Sequence, residues 1–187
     1  MAEVISDSDS GSSLEDRLRL AVQRANARVY ETQRLNSEYR GMGSTLTALT
    51  FDDGRYYVAQ VGDSRAYLFR EQALVQLTRD HSLVWPLYES GILTKDELSR
   101  HPQKNLITRS IGTHPEVEPD IRSGAAFAGD IYLLCSDGLT DVLLDSDIER
   151  ILSSGGNNPA ALIELLINAA NAGGGPDNVT TVVVRLQ

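Results

Sequence analysis

The chain predicts an α+β fold, and three observations carry that expectation. Strand-like runs rich in Thr, Val and Tyr follow one another at 44–51, 55–62 and 65–70, separated by turn signals rather than by helices. Helical patterns are grouped, one ahead of these runs and two near the C-terminus. A last Val-rich run at 179–186 closes the chain. Strands that succeed one another without helical crossovers argue for antiparallel sheets with helices layered outside them.

Each element has a local reason. Ser13-Leu14-Glu15-Asp16 has the spacing of a capping box, with Asp in place of the usual Glu. Leu14, Leu18, Ala21, Val22, Ala25 and Val29 then recur at helical spacing, which predicts a helix up to about Tyr30 with one apolar face. Asp52-Asp53-Gly54 joins the first two strands as a hairpin. The alternating run 73–78 should pair with 65–70. From Arg79 to Gly112 the pattern breaks into two short helical stretches separated by Gly91 and limited by Pro86 and Pro102, a small inserted subdomain or a long ordered loop. A buried strand is expected at 130–136, then a helix capped at Ser146 and another entered at Asn158-Pro159 and ending near Gly173. The polar, Gly/Ser-rich residues 6–13 read as a flexible N-terminal segment (1–13) ahead of a single domain at 14–187.

Composition narrows the function. With 187 residues the chain can bury a sizeable core, and 41% hydrophobic and 23% charged residues are ordinary for a globular domain. A net charge of −9 argues against nucleic acid or an anionic membrane as partner. No apolar run approaches the roughly 20 residues a membrane span needs. One cysteine allows no internal disulfide, and the N-terminus lacks the pattern of a signal peptide, so a cytoplasmic protein is expected.

Three loops share one feature: an Asp beside a Gly or tight turn where a strand ends or begins. They hold Asp63 (Gly62-Asp63-Ser64), Asp137 with Asp141 (Ser136-Asp137-Gly138 onward), and Asp177 (Gly175-Pro176-Asp177-Asn178). Carboxylates gathered at one sheet edge repel one another unless a cation neutralises them, and Mg²⁺ or Mn²⁺ prefers such oxygen ligands. Turn capping is the plain alternative for each loop taken singly. Cys135, two residues before Asp137, would face the same side of a regular strand; a buried inert thiol is the plainer reading. His81, His101 and His114 are the available imidazoles for general acid work. Arg65 and Arg109 could grip a phosphate bidentately, with an ion pair to the acids the plainer use of Arg65.

The motifs GSTLTAL, VGDSRAYLFR, QLTRDHSLV, GILTKDEL, HPQKNLITRSIG, GDIYLLCSDGLTD and GPDNVTTVVV, in this order, resemble the metal-dependent protein phosphatases of type 2C, the PPM family, in their compact bacterial form. The resemblance implies an α-β-β-α sandwich with metal ions at one end of its sheets. A metal-bridging water would there attack a phosphoserine or phosphothreonine, on a phosphoprotein or a small phosphorylated molecule. Carried over by motif, Asp137 and Asp177 are implied metal ligands, and Asp63 and Asp141 match acids that hold a further, weaker ion. Asn178 would support the Asp177 loop, and residues 79–112 match the family's flap. The family's Asp-Gly-x-Gly-Gly-His turn and its phosphate-binding Arg, which precede these motifs in relatives, have no counterpart here, so an N-terminally truncated sandwich with a reduced or rebuilt metal site is expected. Weak Mg²⁺ or Mn²⁺ binding and a homodimer through uncovered sheet edges follow from that expectation. The alternatives are a metal-independent hydrolase of the same shape, using groups such as Cys135, His81, Arg65 or Arg109, and a non-catalytic binding protein.

Overall fold

Ser13 opens the first helix as expected. In the computed structural model, which describes residues 12–154, 156 and 158–187, its hydroxyl accepts a hydrogen bond from the Asp16 amide, and helix α1 runs over Leu14–Leu35. The helix is five residues longer than its apolar face suggested; Asn36 ends it, turning extended while its N–H still reaches Thr32 O. Apart from Ser12 and Ser13, the polar segment at 6–13 lies outside the described residues.

Two antiparallel sheets follow. Strands β1 (Leu46–Asp52), β2 (Arg55–Val61) and β5 (Asp120–Ala125) form one in the order β1-β2-β5. Strands β3 (Arg65–Arg70), β4 (Ala73–Gln76), β6 (Ile131–Cys135) and β7 (Thr181–Arg185) form the other in the order β4-β3-β6-β7. The Asp53-Gly54 hairpin is observed, both residues at positive φ, with Asp52 opposite Arg55. The pairing of 73–76 with β3 is observed too. Strand β5 was not anticipated: its sequence, Asp-Ile-Arg-Ser-Gly-Ala, has little β-propensity and is held by its ladder with β2.

Alternation along the strands produces three apolar layers. Ala59 and Val61 face α1, meeting Leu18 and Val22. Tyr56, Val58, Ala66, Leu68 and Tyr132 fill the space between the sheets. Tyr67, Phe69, Leu133 and Cys135 pack on helices α5 (Asp145–Ser154) and α6 (Pro159–Ala172) through Ile148, Leu152, Leu162 and Leu166. The architecture is therefore α-β-β-α.

Asn158 caps α6 through the Ala160 amide, and Gly173 ends the helix, both as expected. Ser146 does not cap α5. The helix already begins at Asp145, and it is the Asp147 carboxylate that accepts from the Leu144 amide, because an acid three residues on can reach back to that amide. Between β4 and β5, residues 79–112 carry helices α2 (Trp85–Glu89) and α3 (Lys95–Arg100), with a small core of Val84, Trp85 and Leu98. A short helix α4 (Asp137–Thr140) sits directly after β6.

Candidate active site

Strands β3 and β6 are antiparallel neighbours with Arg65 opposite Cys135, so the residues just before β3 and just after β6 emerge at one end of the sheet. Asp63 leads into β3 and Asp137 opens α4 after β6. The loop before β7 is tied to the same end: Ser136 donates through its hydroxyl to Asn178 O at 3.1 Å and accepts from the Thr180 amide at 3.0 Å. Gly138 permits this closeness, since a Cβ there would lie 2.4 Å from Asn178 O. The result brings the Asp177 loop beside Asp137. Ser136 has no titratable group, and in the sequence only its place before Asp137 marked it.

A small cleft opens here, lined by Asp63, Arg65, Asp137 and Asp141 from the sheet end and by Asp80, Ser82, Lys104 and Asn105 from the flap. Its electrostatics are those of an anionic excess. Asp63 is buried, and burial together with the Asp137 charge pushes its carboxyl up to about 6. Burial, Asp141 and Asp177 also raise Asp137, against the pull of its hydrogen bond from the Gly138 amide. Asp141 is held from the flap, accepting from Lys104 Nζ at 2.9 Å and from Asn105 Nδ2 at 3.0 Å.

The proposed substitutes for phosphate and proton chemistry lie elsewhere or are engaged. Arg65 is half-buried and donates to Asp80 through Nε and Nη2, and to Tyr67 Oη through Nη1. Asp80, the partner that ties up this arginine, was passed over in the sequence beside the more conspicuous His81. Tyr67 in turn donates to Asp145, which also meets Lys95, so a polar chain runs under the flap to the start of α5. Cys135 is buried, and burial pushes its thiol up to about 12, which keeps it protonated at neutral pH. His81 is buried, its pKa lowered by burial and by Arg109. Arg109 lies near it, donating to Asp120 Oδ1 at 2.8 Å and to Glu118 O at 2.9 Å. His101 Nδ1 accepts from the Gln103 amide and His114 Nδ1 lies 3.2 Å from Thr113 Oγ1; neither lines the cleft.

The donor chemistry of the cleft, carboxylate oxygens carrying unneutralised charge, suits a hard divalent cation. The spacing is looser than a closed cage: among the described residues no three of His, Cys, Asp and Glu are gathered to hold an ion between them. The set thus fits a cation that takes one or two protein carboxylates and completes its shell with water.

A two-sheet sandwich flanked by helices, with acids from three loops converging at one sheet end, defines a class of metal-assisted phosphatase folds. The profile of the family described as protein phosphatase 2C matches residues 1–84. The chain is 41% identical over 179 residues to the serine/threonine protein phosphatase PstP of Mycobacterium tuberculosis, covering 96% of this chain and 34% of that one. It is 35% identical to the serine/threonine phosphatase stp of Listeria monocytogenes, covering 94% of this chain and 69% of the relative. The crystal structure of the M. tuberculosis phosphatase PstP/Ppp superimposes with a TM-score of 0.89 at 40% identity, over the whole of this chain and 77% of the other. The PstP catalytic domain has also been solved with two manganese ions, and matches with a TM-score of 0.84 at 37% identity, over the whole of this chain and 77% of the other. The chain belongs to the protein phosphatase 2C family. It spans about a third of the length of PstP.

Proposed function

We propose that the protein hydrolyses phosphate monoesters, as a phosphatase of the protein serine/threonine class, at the cleft between the Asp63–Asp137 sheet end and the flap. The observation that carries this reading is the convergence of Asp63, Asp137 and Asp141 on one cleft, with Asp63 raised by burial and the Asp137 charge, and Asp137 by burial and the charges of Asp141 and Asp177. The residues that would hold Mg²⁺ or Mn²⁺ are Asp137 with Asp63 or Asp177. The ion would supply Lewis-acid charge and an acidified water. Asp137 and Asp63 hold the anionic charge that recruits it, while Lys104 and Asn105 offer donors to phosphate oxygens from the flap side. With no three carboxylates close enough to hold one ion among the described residues, binding at millimolar rather than micromolar Mn²⁺ is expected, in line with a reduced site.

A metal-independent route through Cys135 is disfavoured by its burial and its raised pKa. Generic aryl phosphate turnover with millimolar Mn²⁺, lost in chelator and in Asp137→Asn, is the expected result; full turnover in chelator, unchanged by Asp137→Asn, would defeat this reading. Assembly belongs to it as well. Strands β1 and β7 each have one neighbour, and Phe51 on β1 and Val182 on β7 are 37% and 49% exposed. Such edges support a homodimer joined edge to edge, and light scattering at micromolar concentration checks it.

A further inference from the structure

The turn that carries Asp63 is held with unusual completeness. Gly62 sits at φ +109°, and a Cβ there would lie 2.4 Å from Thr45 Cγ2, so the backbone must be glycine. The Gly62 amide donates to His81 Nδ1 at 3.0 Å, and the His81 amide donates back to Gly62 O at 2.9 Å. Gln60 Nε2 adds donors to Gly62 O and Ser64 O, and Thr47 Oγ1 donates to Ser64 O.

The imidazole is fixed in its turn. Because Nδ1 accepts from Gly62, the ring proton of the neutral form sits on Nε2, which lies 3.3 Å from Asp120 Oδ2 and 3.0 Å from Arg109 Nη1; with Nε2 protonated, Asp120 is its acceptor and the arginine a neighbour that does not donate to the ring. The other Asp120 oxygen accepts from Arg109, whose Nη1 has its remaining proton directed to Glu118 O. Asp120 opens β5 and lies opposite Gln60 of β2, two residues before Gly62. His81 also joins the two ends of the flap, its carbonyl accepting from the Thr108 amide at 2.7 Å.

We propose that His81 is a positioning residue: it clamps the Gly62-Asp63 turn from both sides of one glycine, and Asp120 with Arg109 holds the clamp in register from the neighbouring strand β5. The functional half of this proposal rests on the reading of Asp63 as part of the cation site. Asp63 enters the cleft directly from this turn, so fixing Gly62 fixes where its carboxylate stands. A solvated loop histidine would not have both ring nitrogens engaged.

The test uses the full chain and two readouts, amide hydrogen exchange at Gly62 and Mn²⁺ affinity by calorimetry, with global stability measured alongside. His81→Leu is expected to lose about tenfold of Gly62 protection beyond any global change, and about tenfold in Mn²⁺ affinity. His81→Asn, whose side-chain carbonyl can accept in place of Nδ1, should keep most of both. Asp120→Ala touches a half-exposed side chain and keeps the fold should His81→Leu lose it; a loss of about threefold in protection is expected there. Gly62 exchange unchanged in both His81→Leu and Asp120→Ala would overturn the clamp. A loosened Gly62 with unaltered Mn²⁺ affinity, in a protein where Asp63→Asn weakens Mn²⁺, would overturn its role in placing Asp63. If Asp63→Asn itself leaves Mn²⁺ binding untouched, the cation reading fails and Gly62 exchange alone decides the clamp.

Discussion

The two ends of the β3–β6 strand pair carry the same residue types and treat them in opposite ways. At one end Asp130 is 2% exposed and fully answered: it accepts from Arg70 Nε and Nη2 at 2.7 Å each, from the Phe127 amide and from Tyr132 Oη. Burial would raise its pKa, but these hydrogen bonds, those of Arg70 and of the Phe127 amide foremost, outweigh it and hold the carboxyl below the ordinary range. At the other end the arginine, Arg65, is spent on Asp80, and Asp63 and Asp137 are left to face each other, both raised. An acid that stabilises a fold is surrounded by donors. Acids kept at a cleft with too few donors to offset their burial and mutual repulsion cost stability, and persist where their charge has another use.

The comparison breaks most sharply on activity. Asp137→Asn should lower Mn²⁺-dependent phosphatase turnover by about a hundredfold while raising the unfolding midpoint, since it removes a repelling charge. Asp130→Ala should do the reverse. It leaves the partly exposed Arg70 guanidinium and the Phe127 amide without their partner, so a stability loss of about 2–4 kcal/mol is expected, with turnover per folded molecule unchanged. Urea unfolding and steady-state kinetics on the same preparations measure both. Equal stability losses at the two ends would remove the distinction.

The pH dependence sharpens it. Asp63 titrates near 6 when folded and near 3.8 when not, so the folded state binds the proton more tightly and stability rises as pH falls through that window. Asp130 has the opposite sign: its contribution is present above the ordinary carboxylate pKa and is lost as pH falls through its lower folded value. Chelated protein should therefore gain about 1–2 kcal/mol between pH 7.5 and 5 before acid unfolding begins. Asp63→Asn should abolish most of that gain and leave the acid limb in place. A flat profile in the parent protein would show that Asp63 is neutralised in solution.

How much of this was legible beforehand follows from the range of each interaction. The Ser13 cap, the Asp53-Gly54 turn and the Asn158-Pro159 helix entry are local signals, and all three are where the sequence implied. Strand β5 was missed because its reasons are tertiary: Arg122, Ser123 and Gly124 are poor strand formers paired with β2, and Gly124 leaves room for the Tyr56 ring. The site divides similarly. Asp63, Asp137 and Asp141 announced themselves by sitting beside glycine turns and do line one cleft. Their management did not: Asp80 takes Arg65 from fifteen residues away, Lys104 reaches Asp141 from the flap, and Asp120 orients His81 from strand β5. Pairings across the fold leave no periodicity to read.

The smallest expected effect lies back at the Asp130 end, in the turn that follows Arg70. Glu71 and Gln72 connect β3 to β4 as a two-residue hairpin with Arg70 opposite Ala73, and both sit at positive φ, 51° and 63°. That is the left-handed region, where a side chain is disfavoured by about 1 kcal/mol and where Asn-Gly or Asp-Gly is the usual choice. The other hairpin of this chain, Asp53-Gly54, makes that choice. Gln72→Gly should relieve the strain at a cost in unfolded-chain entropy, leaving a net gain of about 0.5 kcal/mol, and Glu71→Asn with Gln72→Gly somewhat more. Nothing at this end meets the cleft, so turnover and Mn²⁺ affinity should be untouched. A gain in stability accompanied by a change in Mn²⁺ affinity would mean that the two ends of the strand pair communicate, and that their separation into a structural and a functional end is too simple.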